Sequence, residues 1–400
     1  MQTTDFLIIG GGVIGVSLAL EAKRRQPSAR VVLADKEPKL GLHASGRNSG
    51  VLHAGFYYTA DSLKARFTRD GCAAWTEYAL ERGLRINQCG KLVVAQEESD
   101  LPAMDELERR GAANGVKLER MDVQQAKEVE PRVKTVERAL FSPATASVDP
   151  REALASLEQD ARDAGVEFVV DAPWRGRDGA AARVGNEQYA YGYLINAAGL
   201  YADQIAREYN FCQDHVILPF KGLYLYGDEP VGALRTHIYP VPNLANPFLG
   251  VHFTLTADGH VKVGPTAIPA FWREHYQGFS NFNFGEAIDI VGREMGLWLR
   301  NEFNFRRLAR EELAKYRRGH MVALASKLLE GVEPSQYRRW GKPGIRAQLF
   351  DVKQQKLEMD FRYEGDTGSF HVLNAVSPGF TCAPPFSRYL FDQMERLRAL

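Results

Sequence analysis

The stretch FLIIGGGVIG, residues 6–15, decides the fold. Its first four residues are apolar, which is typical of a strand buried on both faces, and the glycines that follow end that strand. Residues 13–25 then present an apolar helical face and end in three basic residues, and residues 31–34 form a second apolar run. This order predicts a βαβ unit of a nucleotide-binding α/β fold.

The glycines of this stretch have the spacing of a dinucleotide-binding fingerprint, directly after a strand and at the start of a helix. Gly10 permits a tight turn, Gly12 lets the backbone approach a pyrophosphate, and Gly15 lets the helix pack against the strand. Asp35 follows Gly15 by 20 residues, where an acidic side chain accepts hydrogen bonds from ribose hydroxyls. The pattern predicts a bound dinucleotide and disfavours NADP, but it does not distinguish NAD from FAD.

The composition excludes several classes of protein. With 45% hydrophobic residues the chain of 400 residues is globular rather than disordered, and its 50 basic and 50 acidic residues argue against nucleic acid binding. The four cysteines are scattered without a CxxC pair, so neither a disulfide framework nor a metal site is expected. No apolar run has the roughly 18 residues of a membrane span. We therefore expect a cytoplasmic protein.

Along the rest of the chain, segments typical of a nucleotide-binding domain alternate with mixed segments of strand and helix. This order predicts a mixed α/β protein with two interleaved domains. The first is a discontinuous Rossmann-like nucleotide-binding domain, made of residues 1–85, 150–215 and 335–400. The second is a substrate domain of β-sheet and helices, made of residues 86–149 and 216–334. The last helix is predicted to begin at Phe386.

Residues 43–58, HASGRNSGVLHAGFYY, resemble a long motif of the L-2-hydroxyglutarate dehydrogenases, which are FAD enzymes of the D-amino-acid-oxidase superfamily. The chain departs from this family at Arg47, where a histidine is usual, and at Lys221, where an arginine is common. The resemblance implies FAD as cofactor and the oxidation of a 2-hydroxy dicarboxylate, with electrons passed to oxygen or a membrane quinone. Further matching stretches are residues 62–65, 89–91, 219–222, 239–242, 247–252, 263–265 and 344–348.

Small and polar residues at strand ends and in loops are the candidate FAD contacts, since they allow the backbone to approach phosphates or a flavin. Similarity to other flavoenzymes implies that the N-terminus of the final helix, after Pro378, faces the flavin and stabilises negative charge on it. Trp174 is either near the adenine or a core aromatic, and His43 is either near the pyrophosphate or structural. The predicted contacts are Gly10, Gly12, Val13, Ile14, Gly15, Asp35, Lys36, His43, Ser45, Arg47, Asn48, Ser49, Gly50, Trp174, Ala198, Gly199, Pro378, Gly379, Phe380 and Thr381.

Oxidation of a 2-hydroxy acid needs a base for the hydroxyl proton, a cation for the carboxylate and an acceptor for the hydride. His53, in the family-like motif, is the candidate base, and His252 is its rival. Arg346 is the candidate carboxylate clamp, because a guanidinium presents a planar fork that matches a carboxylate. Candidates for the distal carboxylate or the hydroxyl are Tyr57, Lys221 and Tyr239.

Three alternatives stay open at this stage. An amine- or amino-acid-oxidising enzyme would use the same fold, and a flavin-binding electron-transfer subunit would have no substrate chemistry of its own. Covalent attachment of the flavin through His53 is a further possibility.

Residues 293–318 combine aromatic residues with an excess of basic over acidic ones. This pattern fits either a solvated helix face or a peripheral contact with the inner face of a membrane. The basic residues are Arg293, Arg300, Arg306, Arg307, Arg310, Lys315, Arg317 and Arg318.

Overall fold

A computed structural model describes residues 1–243 and 249–399 of the chain. The first two residues of the family-like stretch 247–252 therefore lie outside the described residues. The chain divides into two compact units. The first unit consists of Met1–Asn48, Pro150–Leu218 and Arg346–Leu400, and the second unit consists of Ser49–Asp149 and Pro219–Ile345.

The strands, in chain order, are β1 Gln2–Ile9, β2 Val31–Ala34, β3 Val51–Leu52, β4 Ile86–Asn87, β5 Lys91–Val94, β6 Glu119–Asp122, β7 Arg138–Ser142, β8 Ala146–Val148, β9 Val166–Val169, β10 Trp174–Asp178, β11 Ala181–Val184, β12 Glu187–Asn196, β13 His215–Gly222, β14 Leu225–Tyr226, β15 His237–Pro240, β16 His252–Leu255, β17 Val261–Gly264, β18 Ile268–Pro269, β19 Arg339–Trp340, β20 Gly344–Asp351, β21 Lys356–Leu357, β22 Arg362–Gly365 and β23 Ser369–Asn374.

The α-helices are α1 Val13–Arg25, α2 Leu63–Glu81, α3 Leu101–Ala113, α4 Val123–Val129, α5 Pro150–Asp163, α6 Ala202–Arg207, α7 Phe284–Arg300, α8 Phe305–Ala314, α9 Arg318–Ala325 and α10 Gly379–Arg398. Short 3₁₀ helices span Ala44–Gly46, Glu98–Asp100, Gly199–Tyr201, Glu302–Asn304 and Pro334–Gln336.

The first unit is built on a sheet with the strand order β10-β11-β12-β1-β2-β9, to which β23 and β22 are added beside β12. Strand β1 pairs in parallel with both β12 and β2, and β2 pairs in parallel with β9. Helix α1 contacts both α5 and α10. This arrangement confirms the predicted Rossmann-like α/β fold, since parallel strands flanked by helices read as continuous apolar runs.

The second unit contains an eight-stranded sheet with the order β19-β14-β17-β16-β15-β5-β7-β6 and a smaller sheet with the order β3-β8-β4. One face of the large sheet packs against α9 and the chain that follows it, through Met321, Val322, Ala325 and Leu328. The buried strand residues of this core are Leu92, Val94, Ala139, Leu225, Ile238, Phe253, Leu255, Val261 and Val263.

The structure differs from the sequence-based boundaries in several places: residues 335–345 belong to the second unit rather than to the nucleotide-binding domain, and residues 216–218 belong to the first unit. Residues 49–85 were grouped with the nucleotide-binding domain, but they belong to the second unit. They do so because β3 pairs with β8 and α2 contacts β3, β4 and β8. The last helix begins at Gly379 rather than at Phe386. Pro384 and Pro385 both lie inside this helix.

Candidate active site

The glycine turn of the first unit is packed backbone against backbone. Gly10 has φ +111°, and a Cβ added there would lie 2.4 Å from the carbonyl oxygen of Ala197, at the end of β12. A Cβ on Gly15 would lie 1.9 Å from the carbonyl oxygen of Gly10. Only glycine fits at both positions, so the ends of β1 and β12 meet at the N-terminus of α1. Ala198 and Gly199, two of the predicted FAD contacts, come directly after Ala197 in the chain.

Asp35 lies at the end of β2, where its carboxylate is held against the glycine turn. Its Oδ2 accepts a hydrogen bond from the backbone N–H of Gly11 at 2.5 Å, and its Oδ1 accepts one from the N–H of Glu37 at 2.8 Å. Ser45 Oγ accepts from the N–H of Val13 at 2.9 Å and so lies at the start of α1, beside Ile14. A glycine-lined helix N-terminus with an acidic residue beside it fits the pyrophosphate and ribose of a dinucleotide.

The loop that follows β2 is fixed by its own side chains. His43 Nε2 lies 2.9 Å from Glu37 Oε1, and the same carboxylate pairs with Lys36. Arg47 Nε donates to the carbonyl of Leu42 at 2.6 Å, and Asn48 Nδ2 donates to that of Ser45 at 2.7 Å. These contacts place His43, Arg47 and Asn48 in one ordered loop, and their contact with FAD stays a prediction.

The other predicted FAD contacts are dispersed over both units. Pro378 is the N-cap of α10, so Gly379, Phe380 and Thr381 form the first turn of that helix. Trp174 begins β10, where its indole N–H donates to Glu208 at 2.8 Å and its ring packs against the sheet core. Trp174 is partly buried against this core, and its position near the adenine stays a prediction.

Ser49 and Gly50 open the second unit, which the sequence-based domain boundaries did not anticipate. The carbonyl of Ser49 accepts from Lys262 Nζ at 2.9 Å. Gly50 has φ +78°, and its carbonyl accepts from the backbone N–H of Val148 at 2.9 Å.

The large sheet of the second unit has two chemically opposite faces. Because successive strand residues point to opposite sides, the residues that alternate with the apolar core share the other face. Strand register aligns them across the sheet: His237 pairs with Lys91, and Thr254 pairs with Lys262. This site face is almost fully buried and consists of Lys91, His237, Tyr239, His252, Thr254 and Lys262.

His252 is held in a defined tautomer. Its Nδ1 lies 2.8 Å from the carbonyl oxygen of Gly250, so Nδ1 carries the proton and Nε2 keeps its lone pair. The ring stacks on Tyr239 with centroids 3.7 Å apart and planes 18° apart. Burial, with a smaller contribution from the positive charge of Lys91, lowers the pKa of His252 to about 3. His252 is therefore a neutral proton acceptor at neutral pH.

His53 belongs to the same cluster. It lies just after β3 and is half-buried, and burial together with the positive charge of Lys91 holds its pKa well below the ordinary value. His237 accepts a hydrogen bond at Nδ1 from the N–H of Leu255 at 3.0 Å, and its pKa is lowered to about 3, chiefly by burial. Three imidazoles and a lysine thus share one buried environment. The sequence analysis missed His237 and Lys91 as site residues, although both occupy alternating strand positions.

The family-like loop after His53 is held over the site face by α3. Asn114 Nδ2 donates to the carbonyl oxygens of Gly55, at 2.9 Å, and Tyr58, at 3.0 Å. Arg110 Nη1 donates to the carbonyl oxygen of Tyr57 at 2.8 Å. Gly55 has φ +102°, a conformation that favours glycine and gives the loop its sharp turn.

Two predicted substrate cations lie in different units. Lys221, on β13 in the second unit, is buried, and burial lowers its pKa to about 8. Arg346, on β20, is half-buried and belongs to the first unit. Their roles toward a substrate stay predictions.

Comparison with known proteins identifies the family. The model of the family described as "FAD dependent oxidoreductase" matches residues 5–393. The chain is 34% identical to the mitochondrial L-2-hydroxyglutarate dehydrogenase of Homo sapiens, covering 98% of this chain and 89% of the relative. It is 33% identical to the L-2-hydroxyglutarate dehydrogenase of Escherichia coli K12, covering 99% and 94%. The chain belongs to the L-2-hydroxyglutarate dehydrogenase family of FAD dependent oxidoreductases.

Solved structures confirm the fold of this L-2-hydroxyglutarate dehydrogenase family member. The dithionite-reduced L-alpha-glycerophosphate oxidase of Mycoplasma pneumoniae, solved with FAD bound, aligns with a TM-score of 0.79 at 22% identity, covering 100% of this chain and 96% of that one. Glycine oxidase of Geobacillus kaustophilus aligns with a TM-score of 0.72 at 19% identity, covering 99% and 95%. The cofactor of this family member is FAD, and the glycine turn with Asp35 fits its pyrophosphate and ribose.

Proposed function

We propose that this oxidoreductase converts L-2-hydroxyglutarate to 2-oxoglutarate. The observation that carries the proposal is the buried site face, on which imidazoles and lysines lie together. No ion pair joins Lys91, His237 or His252 to an Asp or Glu among the residues described. A substrate with two carboxylates would supply the missing negative charge. The substrate named for the two relatives above supports this choice.

The base of the proposed reaction is an imidazole of this cluster. His252 meets the requirement through its fixed tautomer, and His53, in the family-like loop, is the second candidate. His252 would accept the hydroxyl proton at Nε2, and His53 at its unprotonated ring nitrogen, while FAD, when bound, supplies the acceptor for the Cα hydride. A bound dianion would raise the pKa of both imidazoles, because opposite charge favours the protonated form. Substrate binding would thereby strengthen the base.

The carboxylates of the substrate require cations and donors. Arg346 is proposed for the carboxylate next to the reacting carbon, where a planar fork fixes orientation. Lys221 is proposed for the distal carboxylate. Burial raises the pKa of both the Tyr57 and Tyr239 phenols, so both stay protonated and can donate to an anion.

Anaerobic mixing of the holoenzyme with 2-hydroxy and 2-amino acids tests the proposal. We expect L-2-hydroxyglutarate to remove the visible absorbance of the flavin and to yield 2-oxoglutarate. Bleaching by amino acids alone, with release of ammonia, would favour an amine oxidase instead. No bleaching by either class would favour an electron-transfer subunit. Yellow colour that stays with the acid-precipitated protein would reveal covalent flavin.

We also propose a peripheral membrane contact through α7. One side of this helix is apolar and exposed, with exposed fractions of 71% at Phe284, 59% at Ile288 and 66% at Leu299. Its opposite side contains the buried Ile290 and Leu297. The exposed apolar stripe supports a contact in which this helix lies in the plane of a membrane interface. Among the described residues, no helix combines the length and the apolarity needed to cross a bilayer.

The basic residues of segment 293–318 contribute less to such a contact than the sequence suggested. Arg293 pairs with Asp289, and Arg307 with Glu311. Lys315 pairs with Glu312. Arg306 Nε donates to the carbonyl oxygen of Trp298 at 2.5 Å. The apolar stripe of α7 is therefore the stronger argument for the contact.

Flotation with liposomes tests the membrane contact. We expect binding that is lost in Ile288→Glu and kept in Asp289→Asn, a neighbouring change that leaves the apolar stripe intact. Absence of binding at low salt, with or without anionic lipid, would refute the contact. The choice between oxygen and quinone as electron acceptor and the cytoplasmic location stay predictions.

A further inference from the structure

Lys91, on β5, is a buried lysine without an anionic partner among the described residues. The residue is 0% exposed, and its Nζ makes no hydrogen bond within that part of the chain. A buried ammonium is costly unless it pairs with a carboxylate or other acceptor. The burial of this ammonium group must therefore be explained by the groups that surround it.

Three aromatic rings surround the Lys91 ammonium. Its Nζ lies 4.6 Å from the ring centroid of Phe56, 4.5 Å from that of Tyr57 and 4.7 Å from that of Tyr239. The negative faces of aromatic rings attract a cation. Unlike a carboxylate, they do not neutralise its charge. The positive potential of Lys91 thus extends into the neighbouring site.

The titratable groups around Lys91 come from four elements. They are Cys72 from α2, His237 and Tyr239 from β15, His252 from β16, and His53 and Tyr57 from the loop after β3. None of them is a carboxylic acid. A cation in this surrounding favours neutral imidazoles and attracts an anionic ligand.

We infer that Lys91 is a positioning residue of the proposed reaction, a fixed cation that keeps His53 and His252 neutral and draws the substrate carboxylates into the site. This inference rests on the proposed function. The enclosed Nζ acts through its charge rather than by contact with the substrate. Burial lowers the pKa of Lys91 to about 7, and a bound dianion would raise it again.

Substitution of Lys91 in the holoenzyme separates a charge effect from a structural one. Lys91→Met keeps most of the side-chain volume and removes the charge, and Lys91→Arg keeps the charge. Lys134→Met is the matched control, because Lys134 is an exposed lysine of the same unit whose Nζ donates to the carbonyl oxygen of Ser326. Glutarate, a dicarboxylate without a hydroxyl, is the probe for binding without turnover.

We expect Lys91→Met to weaken glutarate binding roughly tenfold or more, measured by the perturbation of the flavin spectrum. The acidic limb of the pH profile of kcat/KM should move toward the ordinary pKa of histidine. Lys91→Arg should keep the glutarate affinity and the acidic limb of the wild-type enzyme. Lys134→Met should change neither the affinity nor the acidic limb. A purely structural role would not shift the acidic limb. If Lys91→Met does not retain FAD, Lys91→Gln takes its place with the same expectations.

An unchanged glutarate affinity and an unchanged acidic limb in a Lys91→Met enzyme that retains FAD would overturn the inference. Equal loss in Lys91→Met and Lys91→Arg would also overturn it, because shape rather than charge would then matter. Failure of the proposed function looks different, since the flavin of the wild-type enzyme would not be reduced by L-2-hydroxyglutarate. Glutarate binding would still report on Lys91 in that case.

Discussion

Lys91 and His237 are direct neighbours on the parallel strands β5 and β15, although they are far apart in the chain. Pairing in register places both side chains on the site face of the sheet. His237 Nδ1 already accepts the backbone N–H of Leu255, so its second nitrogen, Nε2, carries the proton. A hydrogen bond between this ring and the backbone of Ala146 favours the protonated imidazole, although burial keeps the pKa of His237 low.

Replacement of the candidate bases should reduce the rate of the chemical step. We expect His252→Asn or His53→Asn to lower kcat by about 10²- to 10⁴-fold, because general base catalysis contributes about that much. Rapid-mixing measurement of flavin reduction under anaerobic conditions would give the rate. The residue whose loss affects reduction more is the base. Full activity of both variants would exclude an imidazole base at these positions.

The pH dependence of activity follows from the buried histidines and lysine. The imidazoles must be neutral, and because the pKa of His252 is lowered to about 3, the acidic limb for the free enzyme should lie below the ordinary histidine value of about 6.5. Lys91 is charged below its pKa of about 7 and loses its charge above it. Glutarate should therefore bind more weakly as the pH rises through neutrality. Binding that strengthens with pH would contradict this assignment.

The glycine turn of the first unit should not tolerate a side chain. In Gly15→Ala the new Cβ would lie 1.9 Å from the carbonyl oxygen of Gly10, so we expect loss of FAD and destabilisation by about 1–3 kcal/mol or more. Absorbance and thermal unfolding measure the two effects. In the control Gly292→Ala, the Cβ meets nothing within 4 Å, and a helical alanine should stabilise by about 0.5–1 kcal/mol.

Asn114 should control the loop that contains Tyr57. Its amide bonds two loop carbonyls, and in Asn114→Ala both would lose a buried partner, at a cost of about 1–3 kcal/mol each. We expect a lower melting temperature and a higher KM, with FAD still bound. Gln159→Ala, which removes an exposed side-chain contact with Asp163, serves as a control. An unchanged KM would show that the loop does not need this clamp.

The nucleotide-binding half of the fold could be predicted well because its signals are local. Residues 13–25 and 31–34 form a helix and a strand with the predicted bounds, since continuous apolar runs and glycines identify them without knowledge of distant partners. The family-like loop likewise made His53 and Tyr57 candidate site residues by its own sequence. What a segment of the chain dictates by itself was therefore predictable.

The buried cluster could be predicted only in part because strand register creates it. The alternation of polar and apolar residues in β15 and β16 was visible, but it does not reveal that β5 lies beside β15. The role of Lys91 depends on that pairing and on three rings from two other segments. The same limit explains why residues 49–85 were assigned to the other domain.

The two faces of the large sheet have a consequence for how this enzyme can change. In β15, Ile238 packs in the core while His237 and Tyr239 lie in the site. Because adjacent residues serve opposite faces, a single-residue insertion or deletion within the strand would exchange the two sets at once. Point substitutions at alternate positions therefore change one face alone, whereas length variation must be confined to the connecting loops.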